Sequence, residues 1–485
     1  MRSFTSLLAL GLLATVATAA PTTRALARRQ NETDTDRLVF AHFMMGIVAN
    51  RASAADYDND MRLAKAAGID AFALNIGTDA YNEKQLDYAY VSAEANGMKV
   101  FMSFDFHYFE VGNAGAVATL VKKFSGYTGQ LKVDNKVFVS SFVGDGLNPQ
   151  QLRDQAGVDI YLAPNFAPAK TASAAPVDGA LNWMAWDSDG ANKAPKPGKN
   201  VTVGDGDATY TQWLGATKGY IAPISPWFST HYGPEVAYSK NWVFPSDLLW
   251  YTRWTQILAL RPRFVEILTW NDYGESHYVG PLASPHTDDG NSKWVHGMPH
   301  TGWLDMAAPF IAAYKAGKKT PEVAEAAEKL VYWYRPTPKT ADCDATDTTM
   351  LPAADPANEN YFMGRPDGHA ALEDAVFVVA LLHSAGTVTV SSGANTETFE
   401  APAGASAWKV AMGVGKQTFK LERGGKEVLS ETSKRDVSET CPCGIYNFNA
   451  YVGTVPKGEG GEDELAAEGM AAIRKGLAEG VKCPV

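Results

Sequence analysis

Long apolar runs are scarce in this chain, and positive charge is in deficit. Beyond the first 19 residues no stretch is apolar enough over sufficient length to span a bilayer, so we expect no membrane partner. The 43 Lys and Arg residues are outnumbered by 54 Asp and Glu residues, which leaves a net charge of −11. This surplus of negative charge argues against nucleic acid and anionic lipid as partners.

Three catalytic motifs are also missing. No glycine-rich phosphate loop follows the first predicted strand, which disfavours a doubly wound nucleotide-binding sheet. The absence of a Gly-x-Ser-x-Gly elbow disfavours an esterase. The first strand lacks the His-x-His pair of metal-dependent barrel hydrolases, although His286, Asp288, His296 and His300 are of ligand type. We therefore predict no catalytic metal and no cofactor.

Cysteine is rare, and its four positions all lie in the last third of the chain: Cys343, Cys441, Cys443 and Cys483. In an oxidising compartment four cysteines can form two disulfides, with three possible connectivities. Cys441 and Cys443 are too close in sequence to bridge each other easily, so we expect each to pair outward, with Cys343 or Cys483. A four-cysteine zinc site is the alternative.

The N-terminus has the pattern of a processed secretory segment. Arg2 precedes an apolar run and a small-residue cleavage site, which predicts a signal peptide over residues 1–19. A pro-segment over 20–29 would end at the dibasic pair Arg28-Arg29. Sequons at Asn31 and Asn200 fit glycosylation of a secreted protein. We expect an extracellular or cell-wall location and a monomer.

Short apolar runs and amphipathic stretches alternate between residues 37 and about 320. Strands are predicted over 38–45, 69–76, 99–106, 137–143, 160–165, 181–186, 219–227 and 264–270. Helices are predicted over 60–67, 83–96, 114–124, 149–156, 209–216 and 246–260, with one missing between the fifth and sixth strands. Eight such units predict an α/β fold with a (β/α)8 TIM barrel over 37–335, and a doubly wound sheet is the alternative.

The pattern changes after residue 335. Short alternating runs separated by Gly and Ser turns predict an antiparallel β-sandwich over 336–455, with strands at 376–382, 386–391, 396–400, 407–410 and 418–423. The rest, 456–485, begins as a linker-like acidic tail. A weak amphipathic helix is predicted within it over 464–478.

Two carboxylates, Asp272 and Glu275, follow the last predicted barrel strand among aromatic and amide side chains. Paired carboxylates serve glycoside hydrolysis, in which one protonates the leaving oxygen and another activates water or attacks the sugar. Active-site groups of such barrels lie where the strands end, and Asp105 ends the third strand. The three candidate catalytic residues are therefore Asp272, Glu275 and Asp105.

Nearly every strand end places a polar group beside an aromatic one, which indicates a carbohydrate cleft. The candidate substrate-binding residues are His42, Asn75, His107, Trp186, Trp227, His231, Trp270, Asn271, Tyr273 and His277. Each candidate also has a structural interpretation. Asp272 could cap a turn, Glu275 could be a surface charge, and the tryptophans could belong to the core.

The segment Trp270-Asn271-Asp272-Tyr273-Gly274-Glu275 resembles the corresponding motif of glycoside hydrolase family 71, the fungal α-1,3-glucanases or mutanases. Further matching stretches lie at 39–43, 68–77, 103–105, 136–140, 222–228, 332–339 and 445–451. The resemblance implies a secreted barrel enzyme, packed on a β-sandwich, that hydrolyses α-1,3-glucan with inversion. It also implies that Asp272, Glu275 and Asp105 are its catalytic carboxylates.

On this reading we expect Glu275 to be the general acid and Asp272 the base, with the reverse assignment as the alternative. Asp105 would support water or bind the sugar. An inverting pair needs carboxyl groups about 6.5–9.5 Å apart, whereas about 5–5.5 Å is typical of retention. A glycosidase acting on another polysaccharide and a non-catalytic glucan-binding wall protein are the alternative functions. Endo or exo action is not predicted.

Overall fold

A computed structural model describes residues 37–191, 193–351, 363–457 and 463–483. The predicted signal peptide, the pro-segment and the sequon at Asn31 lie outside these residues. Among the described residues no helix is long and apolar enough to cross a membrane. The strands of the first 270 residues are β1 (Leu38–Met44), β2 (Ala71–Ile76), β3 (Lys99–Asp105), β4 (Lys132–Val133), β5 (Lys136–Phe142), β6 (Ile160–Leu162), β7 (Gly179–Leu181), β8 (Gly219–Ile224), β9 (Ser229–Tyr232), β10 (Lys240–Val243) and β11 (Phe264–Ile267).

The α-helices alternate with these strands and follow the last one. They are α1 (Asp58–Ala66), α2 (Asn82–Asn96), α3 (Ala114–Phe124), α4 (Pro149–Ala156), α5 (Val203–Leu214), α6 (Leu249–Leu260), α7 (Ser292–Val295) and α8 (Thr301–Lys315). Local sequence explains several boundaries. The side chain of Asn148 caps α4, with Pro149 in the first turn, and α2 ends where Gly97 takes the left-handed conformation at φ 63°.

Eight strands form a curled parallel sheet in the order β6-β5-β3-β2-β1-β11-β8-β7, and β4 pairs antiparallel with β5. Backbone hydrogen bonds also join the two ends of this order. Asp178 N donates to Leu162 O (2.9 Å), and Leu181 N donates to Pro164 O (3.0 Å). The molecule therefore has a mixed α/β fold in which the carboxyl ends of the parallel strands lie at one edge of the sheet.

Both faces of the sheet are buried, and successive side chains of each strand point to opposite faces. On the inner face, aromatic rings from β1, β3, β5, β6 and β11 pack together: Phe40, Phe101, Phe138, Tyr161 and Phe264. The ring centroids of Phe40 and Phe101 are 5.0 Å apart. On the outer face, residues such as Val39 and Phe72 pack in the large core that includes the helices. The inner aromatic cluster therefore fills the space within the curled sheet beneath the strand ends.

The predicted elements agree with the observed ones in most places. Helices α3 and α4 have the predicted bounds, and no α-helix occurs between β6 and β7, as predicted. The sixth parallel strand is Gly179–Leu181 instead of 181–186, because Asn182 accepts a hydrogen bond from Met184 N and turns the chain. The hairpin of β9 and β10 was not predicted. Its four-residue strands carry no clear alternation of apolar and polar residues.

The C-terminal strands are β12 (Lys329–Tyr334), β13 (Ala375–Leu382), β14 (Gly386–Ser392), β15 (Asn395–Ala401), β16 (Gly404–Ala411), β17 (Gln417–Arg423), β18 (Lys426–Thr432) and β19 (Tyr451–Val455). They form two antiparallel four-stranded sheets, β16-β13-β12-β19 and β15-β14-β17-β18. One hydrophobic cluster contains residues of both sheets, including Val378 and Phe419. Strand β12 belongs to the first sheet although it precedes the boundary expected after residue 335.

The tail differs from the prediction. The expected helix over 464–478 is wrong: this segment contains a single 3₁₀ turn, Glu468–Met470, followed by irregular turns. Gly469 and Gly476 disfavour a continuous helix there. The expectation that Cys441 and Cys443 pair outward is confirmed, because disulfides join Cys343 to Cys441 and Cys443 to Cys483.

Candidate active site

The loop after β11 presents Asp272 and Glu275 at the carboxyl edge of the parallel sheet. Asp272 N donates to Thr269 Oγ1 (2.9 Å), and the Asp272 carboxylate in turn accepts a hydrogen bond from Glu275 N (3.0 Å). Asn271 fastens the loop to the end of β1, accepting from Met44 N at 2.7 Å and donating to Met44 O at 3.2 Å. The two carboxylates are therefore held on a short, hydrogen-bonded turn.

Glu275 is held as a carboxylate by two neighbours. Lys240 Nζ of β10 lies 2.6 Å from Oε1, and His277 Nε2 lies 3.0 Å from Oε2. Burial disfavours the charge on Glu275, but Lys240 and His277 outweigh it and hold the pKa of Glu275 well below its usual value. The hairpin also bonds to the loop backbone, since Ser229 N donates to Glu275 O (3.1 Å).

Asp272 has the opposite electrostatic environment. Burial, and then the negative charge of Glu275, raise the pKa of Asp272 to about 6, against smaller lowering effects of His277 and Lys240. Two neighbouring carboxyl groups with pKa values moved in opposite directions are suited to different roles. One is protonated at mildly acidic pH while the other stays ionised.

The spacing of this pair does not fit the expected assignment of Glu275 and Asp272 as the acid and base of an inverting enzyme. One ligand-type atom each of Asp272, Glu275 and His277 lies within 4.8 Å of the others. An inverting pair requires about 6.5–9.5 Å between its carboxyl groups, because a water molecule must fit on the far side of the sugar. An inverting mechanism would require a third group at a greater distance.

Asp105 ends β3, on the same edge of the sheet as Asp272. Its Oδ1 accepts a hydrogen bond from His107 N (2.9 Å), and Asn75 lies near the end of the neighbouring strand β2. Burial raises the pKa of Asp105, while His107, His42 and Asn75 act in the lowering direction. Strands β2 and β1 lie between β3 and β11 in the sheet, so three strand spacings of about 4.8 Å separate the two carboxylate-bearing strands.

Aromatic rings continue from Asp105 along the strand ends. The ring of His107 lies 5.3 Å from that of Phe142, Phe142 lies 4.5 Å from Trp183, and Trp183 lies 4.8 Å from His42. Phe142 and Trp183 are partly exposed, and the His107 side chain is largely exposed. Flat, partly exposed rings beside carboxylates suit the stacking of sugar rings.

Several predicted substrate-binding residues are instead buried in structural roles. Trp227 Nε1 donates to Phe448 O (2.8 Å), Trp270 Nε1 to Asp60 (2.9 Å), and Tyr273 Oη to Pro281 O (2.7 Å). Trp186 packs under Phe228 and His277, and His231 pairs with Asp347 at 2.9 Å. None of these five has an accessible ring face, because each is at most 4% exposed.

The remaining predicted residues lie at or just below the site. Asn75 contacts Asp105, His107 lines the open side, and His277 holds Glu275 from below while its Nδ1 contacts Thr269 Oγ1 (3.1 Å). His42 is fully buried beneath Trp183.

Two charged residues were missed by the sequence interpretation. Lys240 lies on the unpredicted hairpin, and nothing in its local sequence distinguishes it. Glu266 lies on β11 and contacts His42 at 2.7 Å. A charged residue within the apolar run Phe264–Ile267 is a signal that could have identified Glu266, since a buried carboxylate needs a partner.

A metal ion does not suit the trio of Asp272, Glu275 and His277. Their oxygen and nitrogen atoms are close enough to chelate, but the ammonium group of Lys240 already lies 2.6 Å from Glu275. This cation neutralises the carboxylate that a metal ion would require.

Comparisons with known proteins identify the family of this chain. Residues 35–465 match the family model described as glycosyl hydrolase family 71. The chain is 43% identical over 430 residues to a mutanase of Penicillium rubens, covering 88% of this chain and 90% of the relative. It is 33% identical to a glucan endo-1,3-alpha-glucosidase of Schizosaccharomyces pombe, covering 88% and 96%. An ascus wall endo-1,3-alpha-glucanase of the same yeast is 30% identical, covering 73% and 81%.

Proposed function

The chain belongs to glycosyl hydrolase family 71, and on that premise we propose that it is a secreted enzyme that hydrolyses α-1,3-glucan. The names of its relatives support the substrate, since they include a mutanase and two endo-1,3-α-glucanases. The observation that carries the proposal is the placement of Asp272, Glu275 and Asp105 at one edge of the parallel sheet beside partly exposed aromatic rings.

The parallel sheet is, on this proposal, a closed (β/α)8 barrel, and the C-terminal sheets form a β-sandwich. The backbone hydrogen bonds between the ends of β6 and β7 support closure. The shared core of the two four-stranded sheets supports the sandwich. Residues 37–335 and 336–455 are the proposed units, and β12, which lies just before the boundary, pairs with strands of the second.

Asp272 is the proposed general acid. At a pKa of about 6 it is protonated under mildly acidic conditions and can donate its proton to the leaving glycosidic oxygen. Glu275 stays ionised through Lys240 and His277, and its charge adds to the effect of burial in keeping the proton on Asp272. This assignment differs from the expectation from the sequence, in which Glu275 was the acid and Asp272 the base.

Asp105 is the proposed base that activates water. Inversion demands a carboxylate on the opposite side of the sugar, at a distance that the Asp272 and Glu275 pair does not provide. Asp105 is supported in this role by its position three strands away and by the hydrogen bond from His107 N.

The proposed substrate is tested by incubating the enzyme with α-1,3-glucan, β-1,3-glucan and starch and measuring released reducing sugar. We expect release from α-1,3-glucan alone. Release only from another glucan would reject the linkage, and binding without release would support a wall-binding protein.

The proposed roles are tested by Asp272→Asn, Glu275→Gln and Asp105→Asn. Each should lower kcat by about 10²–10⁴-fold, the usual contribution of acid–base catalysis, with the melting temperature nearly unchanged. The anomeric configuration of the first product, followed by NMR, should be inverted. A variant with near-normal kcat removes its residue from the mechanism, and a retained configuration contradicts the assignment of Asp105 as a base.

A further inference from the structure

Beneath the catalytic edge, the inner face of the sheet changes from aromatic to polar. Because alternate residues of a strand share a face, His42 points to the same side as Phe40, and Glu266 to the same side as Phe264. Strands β1 and β11 are neighbours, with Phe40 in register with Glu266. His42 and Glu266 therefore form a polar layer between the aromatic cluster and the site.

The two side chains are fully buried and form a pair. His42 Nδ1 lies 2.7 Å from Glu266 Oε1, and both side chains are 0% exposed. This contact assigns the Nδ1 proton, because a carboxylate oxygen accepts a hydrogen bond and Nδ1 is the only ring atom facing it. The other ring nitrogen, Nε2, is thereby directed away from Glu266.

Nε2 of His42 has no hydrogen-bond partner within the described part of the chain, although it is buried. A buried polar atom without a partner is costly in free energy, so such atoms mark places where a ligand group completes the bonding. The ring lies edge-on to Trp183 at 4.8 Å and is close enough to Asp105 to act on its pKa in the lowering direction. Nε2 therefore lies buried beneath Trp183, near the proposed base.

We propose that Glu266 is a positioning residue that holds His42 with Nε2 facing the reacting sugar, where it hydrogen-bonds a pyranose hydroxyl group. Glu266 touches no substrate itself and acts through the His42 ring. The inference rests on the proposed glycoside hydrolase function but not on the linkage that the enzyme cleaves.

Two substitutions of His42 separate its nitrogen atoms. His42→Asn keeps a donor near the position of Nδ1 but lacks Nε2, whereas His42→Gln places an amide near Nε2 and lacks the contact with Glu266. If Nε2 binds the sugar, His42→Asn should lose about 10- to 100-fold in kcat/KM, because the sugar hydroxyl group is then left buried without its hydrogen-bond partner, and His42→Gln should lose less. The reverse order would overturn the proposal.

A double-mutant cycle tests whether Glu266 acts through His42. Glu266→Gln alone should lower kcat/KM by about 10-fold or more, but it should have little further effect in the His42→Asn background. Multiplicative effects of the two substitutions would show that Glu266 has an independent, structural role and would reject the proposal. Melting temperatures of all variants separate lost activity from lost folding.

The matched control is Glu328→Gln, which makes the same change in a partly buried ion pair with Arg423 in the C-terminal sheets. It should leave kcat/KM unchanged. All rates are measured on whichever glucan the wild-type enzyme cleaves fastest. A wrong assignment of α-1,3-glucan therefore appears in the wild-type substrate panel, while a wrong role for Glu266 appears only in the cycle.

Discussion

At the scale of single residues, the proposed difference in protonation state between Asp272 and Glu275 depends on one cation. Lys240 comes from a hairpin outside the parallel sheet, yet it lies 2.6 Å from Glu275 and acts on the pKa of both carboxyl groups. His277 adds a second contact to Glu275 at 3.0 Å. On the proposed mechanism, one protonated and one ionised carboxyl group are thus in place before substrate binds.

The pH profile of kcat/KM should reveal the state of Asp272. An acid with a pKa of about 6 must be protonated to work, so kcat/KM should fall as pH rises above about 6. Lys240 lowers the pKa of Asp272, and Lys240→Met should therefore move this decline to higher pH. Lys240→Arg, which keeps the charge, is the control and should leave the decline near its original place. A decline unaffected by Lys240→Met would show that another group is the acid.

Loss of Asn271 should weaken the catalytic turn. Asn271→Ala removes both hydrogen bonds to the Met44 backbone, so the free energy of unfolding should fall by about 1–3 kcal/mol. Urea denaturation measures this loss. Asn271→Asp, which keeps the acceptor for Met44 N but lacks the donor, should lose less, and equal losses would argue against the importance of the acceptor.

At the scale of elements, helices α5 and α6 are joined by a buried ion pair. Arg253 of α6 binds Asp207 of α5 through two nitrogen atoms, at 2.5 and 2.7 Å, and Tyr220 of β8 donates to the same carboxylate at 2.7 Å. These helices cover the outer face of the sheet near β8. The protein tolerates this buried pair of charges because the hydrogen bonds of the Asp207 carboxylate are nearly complete.

Asp207→Asn should therefore destabilise the enzyme without altering its chemistry. The change leaves the Arg253 charge buried without a counter-ion, and such losses cost about 3–5 kcal/mol. Urea denaturation should show the lower stability, and kcat per folded molecule should stay at the wild-type value. A changed kcat in the folded variant would mean that this pair also shapes the site.

At the scale of the whole molecule, the C-terminal tail is bound to the loops behind the catalytic turn. Asp463 accepts a hydrogen bond from Leu282 N (2.8 Å), Lys293 donates to Lys475 O (2.8 Å), and Leu465 packs in one cluster with Tyr273 and Trp294. The disulfide between Cys443 and Cys483 anchors the end of this segment. The tail is thus part of the folded structure around the site.

Removing that disulfide should lower thermal stability. Cys443→Ser with Cys483→Ser frees a cross-link between residues 40 apart in sequence, which should cost about 2–4 kcal/mol. Differential scanning calorimetry should show a lower melting temperature, and limited proteolysis should cut the tail first. An unchanged melting temperature, with the tail still resistant, would show that its non-covalent contacts suffice.

Much of the fold followed from local patterns. Periodicity located α3 and α4 at their observed bounds, and all eight parallel strands were found within a few residues. The hairpin β9–β10 and strands β12, β18 and β19 were missed. Strands β12 and β19 pair with each other although they are far apart in sequence, whereas β9 and β10 are short and β18 is mostly exposed, so local patterns do not reveal them.

The sequence by itself determined the chemistry available to this enzyme: three carboxylates at strand ends, aromatic neighbours, and four cysteines for two disulfides. It could not decide which aromatics are exposed. Trp227 and Trp270 can lie in the core because their Nε1 groups donate hydrogen bonds to buried acceptors on distant segments. Nor could it decide that Lys240 meets Glu275 or that Glu266 meets His42, because such contacts arise only when separate strands are packed together. Burial, and the pKa shifts that burial and neighbouring charges cause, are properties of that packing, so only the tertiary structure decides them.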